Sequence, residues 1–145
     1  MRDNDKYFMN LALEEAKKSC EMGEIPIGAV IVSGDNIIAR CHNLTEMLCD
    51  PTAHAEMQAI TTATSFLGGK YLQSCTIYVT IEPCPMCASA LYWAQIGKVV
   101  YGAKDEKRGY SVISDKLMHP KTEVVSGVLE NECAEIMRKF FKKLR

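Results

Sequence analysis

The stretch 76-TIYVTIEPCPMCASALYWA-94 changes character in its middle, and that change decides how the chain is built. Thr76–Ile81 is rich in β-branched residues and reads as a strand. Pro83 ends it, and the residues from about Cys84 to Ala94 read as a helix. A strand running straight into a helix is half of a layered α/β unit, so the flanking sequence can be read against it. Downstream, Lys98–Gly102 is a second strand, Val112–Leu117 a short helical turn and Glu123–Val125 a short strand. The last helix begins near Glu130, with an apolar stripe at Leu129, Cys133, Ile136, Met137, Phe140, Phe141 and Leu144. Upstream, a helix starting near Thr52, whose hydroxyl is a candidate cap, stops before Gly68 and Gly69. Ile27–Ser33 and Ile37–Cys41 form a hairpin across Gly34, Asp35 and Asn36. Residues 4–22 open the chain as a helix with apolar positions at Tyr7, Phe8, Leu11, Ala12 and Ala16, ended by Gly23. The expected fold is a three-layer α/β/α sandwich around a mixed sheet of about five strands.

The bulk properties fit that reading. The 145 residues carry no repeat, low-complexity tract or linker, so residues 1–145 are expected to form a single domain. Apolar residues make up 48% and charged residues 24%, an ordinary globular balance that excludes a disordered chain. The longest apolar run, Ile25–Val32, is too short to cross a membrane, and the opening MRDNDKYF lacks the apolar core of a secretory signal. A cytoplasmic location is expected. A formal net charge of −1 excludes a global basic field, so contact with nucleic acid must rest on a local patch. The seven cysteines are odd in number and scattered in spacing, which argues against a disulfide framework. Cys20, Cys41, Cys49, Cys75 and Cys133 read as small apolar or surface residues.

Cys84 and Cys87 are different. At i and i+3 on a helix start they share one face, so both sulfurs can reach one ion, and the helix amino terminus favours thiolates. Alone, such a pair is equally a redox couple or half of a structural zinc knot. The segment 53-AHAE-56 supplies the missing parts. His54 completes a Cys₂His ligand set for zinc, with the fourth position kept for water, while Glu56 is near enough to move a proton without binding the metal. No second CxxC pair exists for a closed four-cysteine site. His54 and Glu56 with Cys84 and Cys87 match the H-x-E…P-C-x-x-C pattern of zinc nucleobase deaminases. These parts meet the demands of hydrolytic deamination, in which water adds to an amidine-like ring carbon and ammonia leaves once protonated.

Over nearly its whole length the chain resembles the bacterial tRNA adenosine deaminases, most clearly in IPIGAVIV (25–32), DPTAHAEMQAI (50–60), YVTIEPCPMCASA (78–90), KVVYGAKDEKRG (98–109) and GVLENECAEIMRKFF (127–141). The resemblance implies a cytidine-deaminase-like fold and conversion of adenosine to inosine at the wobble position of a tRNA anticodon. One Zn²⁺ per subunit is implied, held by His54, Cys84 and Cys87, with Glu56 as the proton shuttle. It also implies that the partner is a tRNA anticodon stem-loop and that the enzyme is a homodimer. Asn43 would hydrogen-bond the target base, the Ala55 backbone would lie beside it, and Pro26 and Ile27 would line the pocket. Asp105 and Lys107 would contact flanking nucleotides. Two features are instead similar to the guanine deaminases: Pro85 within PCPMC, and Tyr92-Trp93-Ala94. A free-base or nucleoside deaminase is therefore the alternative reading.

Other candidates have two readings each. Arg138 to Arg145 holds five basic residues and no acidic one, which suits RNA phosphates and equally suits the helix dipole. Lys104, Lys107 and Arg108 are candidate RNA contacts beside the acidic Asp105 and Glu106. Trp93, Phe140 and Phe141 read as core aromatics before they read as stacking platforms. His42 reads as a strand-end side chain and His119 as a surface loop residue.

Overall fold

A computed structural model describes residues 2–144. Five strands form one mixed sheet in the order β2-β1-β3-β4-β5. They are β1 (Gly28–Ser33), β2 (Asn36–His42), β3 (Cys75–Ile81), β4 (Lys98–Ala103) and β5 (Glu123–Ser126). The β1–β2 and β1–β3 pairs are antiparallel, whereas β3–β4 and β4–β5 are parallel. The hairpin turn is tighter than the sequence reading, because Asn36 already pairs with Ser33 and leaves only Gly34 and Asp35 to turn the chain.

Four α-helices cover the two faces. Helices α1 (Arg2–Glu21) and α4 (Glu130–Lys143) lie on one, burying Phe8, Met9, Ala12, Leu13 and Cys133 against Val30, Val32, Tyr78 and Val100. Helices α2 (Ala55–Leu67) and α3 (Pro85–Ala94) lie on the other, with Ala55, Ala59, Ala63, Ala88 and Leu91 against Ala29, Ile31, Ile77, Val79 and Val99. The alternation along the central strands puts Val30 in one layer and Ala29 and Ile31 in the other. Two short 3-10 turns, Tyr110–Val112 and Asp115–Leu117, replace the single helical turn expected there. The three-layer α/β/α architecture with a five-stranded mixed sheet agrees with the sequence reading. No helix among the described residues is long and apolar enough to cross a membrane.

Two expectations are corrected. Helix α2 begins at Ala55 with His54 at its cap position, not near Thr52. The Thr52 hydroxyl donates instead to Asp50 Oδ1 at 2.7 Å, because the two are closed into a turn ahead of the helix. Trp93 is not core: it is 76% exposed, since α3 buries the opposite face through Cys87, Ala88, Leu91 and Ala94. The cysteines outside the pair are all free, with Cys75 and Cys133 buried and Cys49 exposed.

Candidate active site

The topology brings four chain segments to one end of the sheet. Because β3 and β4 run parallel, with Ile81 level with Ala103, the turns leaving both strands emerge together. Helices α2 and α3 are neighbours on one face and both start at that end. Ligands in open α/β sheets gather at such carboxyl ends of strands. Cys84 and His54 occupy the two cap positions in extended conformation, and neither makes a side-chain cap bond, so both side chains are free for other partners.

His54, Cys84 and Cys87 come together there, their ligand atoms all within 4.8 Å of one another. His54 Nδ1 lies 3.6 Å from Cys84 Sγ and 3.4 Å from Cys87 Sγ. This cluster is able to hold a metal ion. The hydrogen bond from the Cys87 thiol, with further help from His54, holds the Cys84 thiol down at about 4. Donation to Cys84, then burial, pushes Cys87 far above the usual thiol range. The thiolate at Cys84 in turn raises the His54 imidazole.

Glu56, in the first turn of α2, is 2% exposed. Its Oε1 is buried without a hydrogen-bond partner. Burial, followed by the Cys84 charge, raises its carboxyl from 4.5 to about 7. A buried carboxylate oxygen without a partner is costly in a finished fold, so this atom marks a place completed by something else.

These residues open into a cleft of about 820 Å³. Ile27, Asn43, Ala55, Asp105 and Lys107, the substrate-contact candidates of the sequence, border it. Pro26 does not: Ile25 and Ile27 line the cleft while Pro26 between them is buried elsewhere, the alternation of an extended chain. The Asn43 carboxamide oxygen accepts from the Thr45 N–H at 3.3 Å, which leaves its NH₂ available to a ligand. Asp105 Oδ1 accepts the N–H groups of Lys107 and Arg108 and so shapes the loop that carries them. Phe141, read as core, is 40% exposed and forms part of the wall with Met137 and Leu144. The apolar stripe of α4 carries the signal for these three, although it does not say which part faces a ligand. His42 and His119 are outside the cleft, the latter beside Tyr92 with the ring centroids 5.1 Å apart and the planes tilted by 47°.

Fold and site together define a deaminase of cytidine-deaminase-like architecture. A family model described as MafB19-like deaminase matches residues 2–145, and the chain belongs to that family. A tRNA-specific adenosine deaminase of Bacillus subtilis (strain 168) is 47% identical over 97% of this chain and 91% of its own length. A solved structure from studies of A-to-I editing by tRNA:A34 deaminases is 43% identical with a TM-score of 0.83, covering 90% of this chain and 98% of that one. The Bacillus subtilis guanine deaminase structure is also similar, at 38% identity and a TM-score of 0.67, over 79% of this chain and 76% of its own.

Proposed function

We propose that this chain is a zinc-dependent hydrolytic deaminase that converts adenosine to inosine at the wobble position of a tRNA anticodon, acting in the cytoplasm as a homodimer. The observation that carries the chemistry is the unpartnered, buried Glu56 oxygen beside the His54–Cys84–Cys87 cluster. Zinc bonds of about 2.3 Å to sulfur and about 2.0 Å to nitrogen at tetrahedral angles separate the two donor atoms by about 3.5 Å. The distances here, 3.4 and 3.6 Å, fit that requirement. Two cysteines and one histidine leave a fourth position open, as a catalytic site needs.

His54, Cys84 and Cys87 would hold one zinc per subunit. When bound, zinc supplies Lewis acidity that makes water a nucleophile near neutral pH. Glu56, with its carboxyl at about 7, can both take and return a proton. It can deliver one proton taken from water to N1 of the adenine ring. It can then take the second from the hydroxyl added at C6 and pass it to the departing amine nitrogen, so that the C6–N bond breaks and ammonia leaves. Asn43 presents its free NH₂ to a ring acceptor, and Ala55, at the first position of α2, offers a helix-start N–H alongside. Ile25 and Ile27 give the base an apolar wall that excludes water.

The preference for RNA over a free base rests on the relatives' identity and on the shape of the site. The cleft shares Ile81, Lys104, Asp105, Lys107, Met137 and Phe141 with an adjoining groove of about 860 Å³. That groove adds Arg138, Lys139 and Lys142 from α4, a local basic lining on a chain of net charge −1. Arg145, the last basic residue of the tail, lies outside the described residues. A single-stranded loop nucleotide is cheaper to extrude into the cleft than a paired one. The test is a paired assay on zinc-loaded protein. Inosine from an anticodon stem-loop with adenosine at the wobble position, and no ammonia from free guanine, adenine, cytosine or their nucleosides, is the expected result. Ammonia from a free base with an untouched stem-loop would overturn it in favour of the guanine deaminase branch.

A further inference from the structure

One buried carboxylate near the site has no part in the metal cluster or the proton transfer. Glu82 sits between the end of β3 and Cys84 and is 2% exposed. Its Oε1 accepts the Asp105 N–H at 3.1 Å. Its Oε2 accepts both the N–H (3.0 Å) and the hydroxyl (2.6 Å) of Ser111. No lysine or arginine pairs with it among the described residues. Three directed donors therefore satisfy this buried carboxyl group, and they come from the two ends of one loop.

Gly109 is a second, independent sign that the loop is built around this carboxylate. Its φ of −65° is ordinary for any residue, so conformation does not demand glycine. Space does: a Cβ there would run into the Glu82 carboxyl group and the Asp105 carbonyl oxygen. Main-chain bonds reinforce the union, from Glu82 N–H to the Ala103 oxygen and from Tyr110 N–H to the Pro83 oxygen, both 2.8 Å. The loop held in this way carries Asp105, Glu106, Lys107 and Arg108 into the lining of the cleft that Asn43 and Thr45 also border.

We infer that Glu82 is a positioning residue for substrate: it fixes the 105–111 loop to the turn that presents Cys84, so that the metal site and the substrate wall keep one relative geometry. This rests on the proposed deaminase reading. Glu82 acts on binding, through the loop, and not on metal affinity or proton transfer.

The experiment uses the full zinc-loaded chain and the variants Glu82→Gln and Ser111→Ala. In Glu82→Gln an NH₂ must face a backbone N–H, which breaks one end of the clamp. Ser111→Ala removes only the 2.6 Å hydroxyl donor and stands in if the first variant fails to fold. The expected result on the anticodon stem-loop is a KM raised about tenfold with kcat within about threefold of wild type. Zinc content stays unchanged, and hydrogen exchange at the Asp105 and Ser111 amides is faster. An unchanged KM, a loss confined to kcat, or loss of zinc would overturn the inference. If the wild-type chain makes no inosine, the functional reading fails separately. The clamp is then decided by the two amides, whose unaltered exchange would overturn it.

Discussion

His54 Nδ1 and Cys87 Sγ lie 3.4 Å apart although one opens α2 and the other sits in the first turn of α3. The contact is possible only because both helices start at the same end of the sheet, so the two elements share responsibility for the site. Replacing Cys87 by alanine breaks that link. Wild type should hold roughly one zinc per chain and the Cys87→Ala protein close to none, measured by elemental analysis after gel filtration. Adding zinc should raise the melting temperature of wild type and leave the variant unmoved, because an ion that binds only the folded state stabilises it by mass action. Full zinc content in the variant would remove Cys87 from the ligand set.

Glu56 and the cluster are separable in the same way. Its carboxyl group is buried beside the cluster with Oε1 unpaired, so replacing it would remove the proposed proton carrier without removing a member of the cluster. Glu56→Gln should retain zinc and lose about 10²–10⁴-fold in kcat, the usual worth of a positioned acid–base group. Inosine formation under single-turnover conditions is the readout, and near-normal turnover would disprove the shuttle role.

The same variant gives a pH signature in zinc-stripped protein. Folding raises the Glu56 carboxyl from 4.5 to about 7, chiefly by burial. Its contribution to stability is therefore fully present below 4.5 and is lost as pH rises through about 7. Glutamine does not titrate, so Glu56→Gln should match wild type near pH 4.5 and gain on it with rising pH, levelling off above 7. A rise from 4.5 to about 7 is worth about 3 kcal/mol at full extent. Urea unfolding of both proteins at a series of pH values measures the gap, and a constant gap would count against a carboxyl so raised.

Lys142 belongs to the adjoining groove and to no ion pair among the described residues, whereas Arg138 and Lys139 both approach Glu135. It is thus the cleaner probe of RNA contact on α4. Lys142→Ala should raise KM for the stem-loop and reduce the slope of log affinity against log salt by about 0.7, the effect of one lost single-strand phosphate contact. Binding titrations at several salt concentrations check this. An unchanged slope would leave the basic end of α4 to its dipole role.

The layers and the metal cluster were legible because they depend on local pattern. The strand Thr76–Ile81, the Pro83 break and the i, i+3 cysteines are consecutive, and His54 and Glu56 lie within one turn of a helix start. What was not legible depends on elements distant in sequence meeting in space. Glu82 looks like an ordinary acidic residue until the loop at Asp105 and Ser111 folds over it. The stripe on α4 announced an apolar face, but only the packing of Cys133 against the sheet leaves Met137, Phe141 and Leu144 for the cleft. Trp93 and Thr52 depart from the expectation for the opposite reason. Residue preference pointed one way, and the register of α3 or a competing Asp50 partner decided the matter.

That docking of α4 depends on a glycine. Gly102, in β4, is where the helix comes closest: a Cβ there would collide with Cys133 Sγ, lie 2.9 Å from Cys133 Cβ and 2.9 Å from the Thr80 carbonyl oxygen. Neither neighbour can retreat easily, since Cys133 is wholly buried and the Thr80 oxygen belongs to the central strand β3. Gly102→Ala should therefore destabilise the fold by about 1–3 kcal/mol, the usual range for overpacking a tight core. Cys133→Ala in the same chain removes the sulfur and should recover part of that loss, giving a coupling of about 1 kcal/mol in a double-mutant cycle of urea unfolding. The consequence extends to function, because α4 shifted outward carries Met137 and Phe141 away from the cleft wall. KM for the stem-loop should rise in Gly102→Ala and fall back in the double variant. Additive stabilities would mean that α4 does not rest on Cys133 at this point.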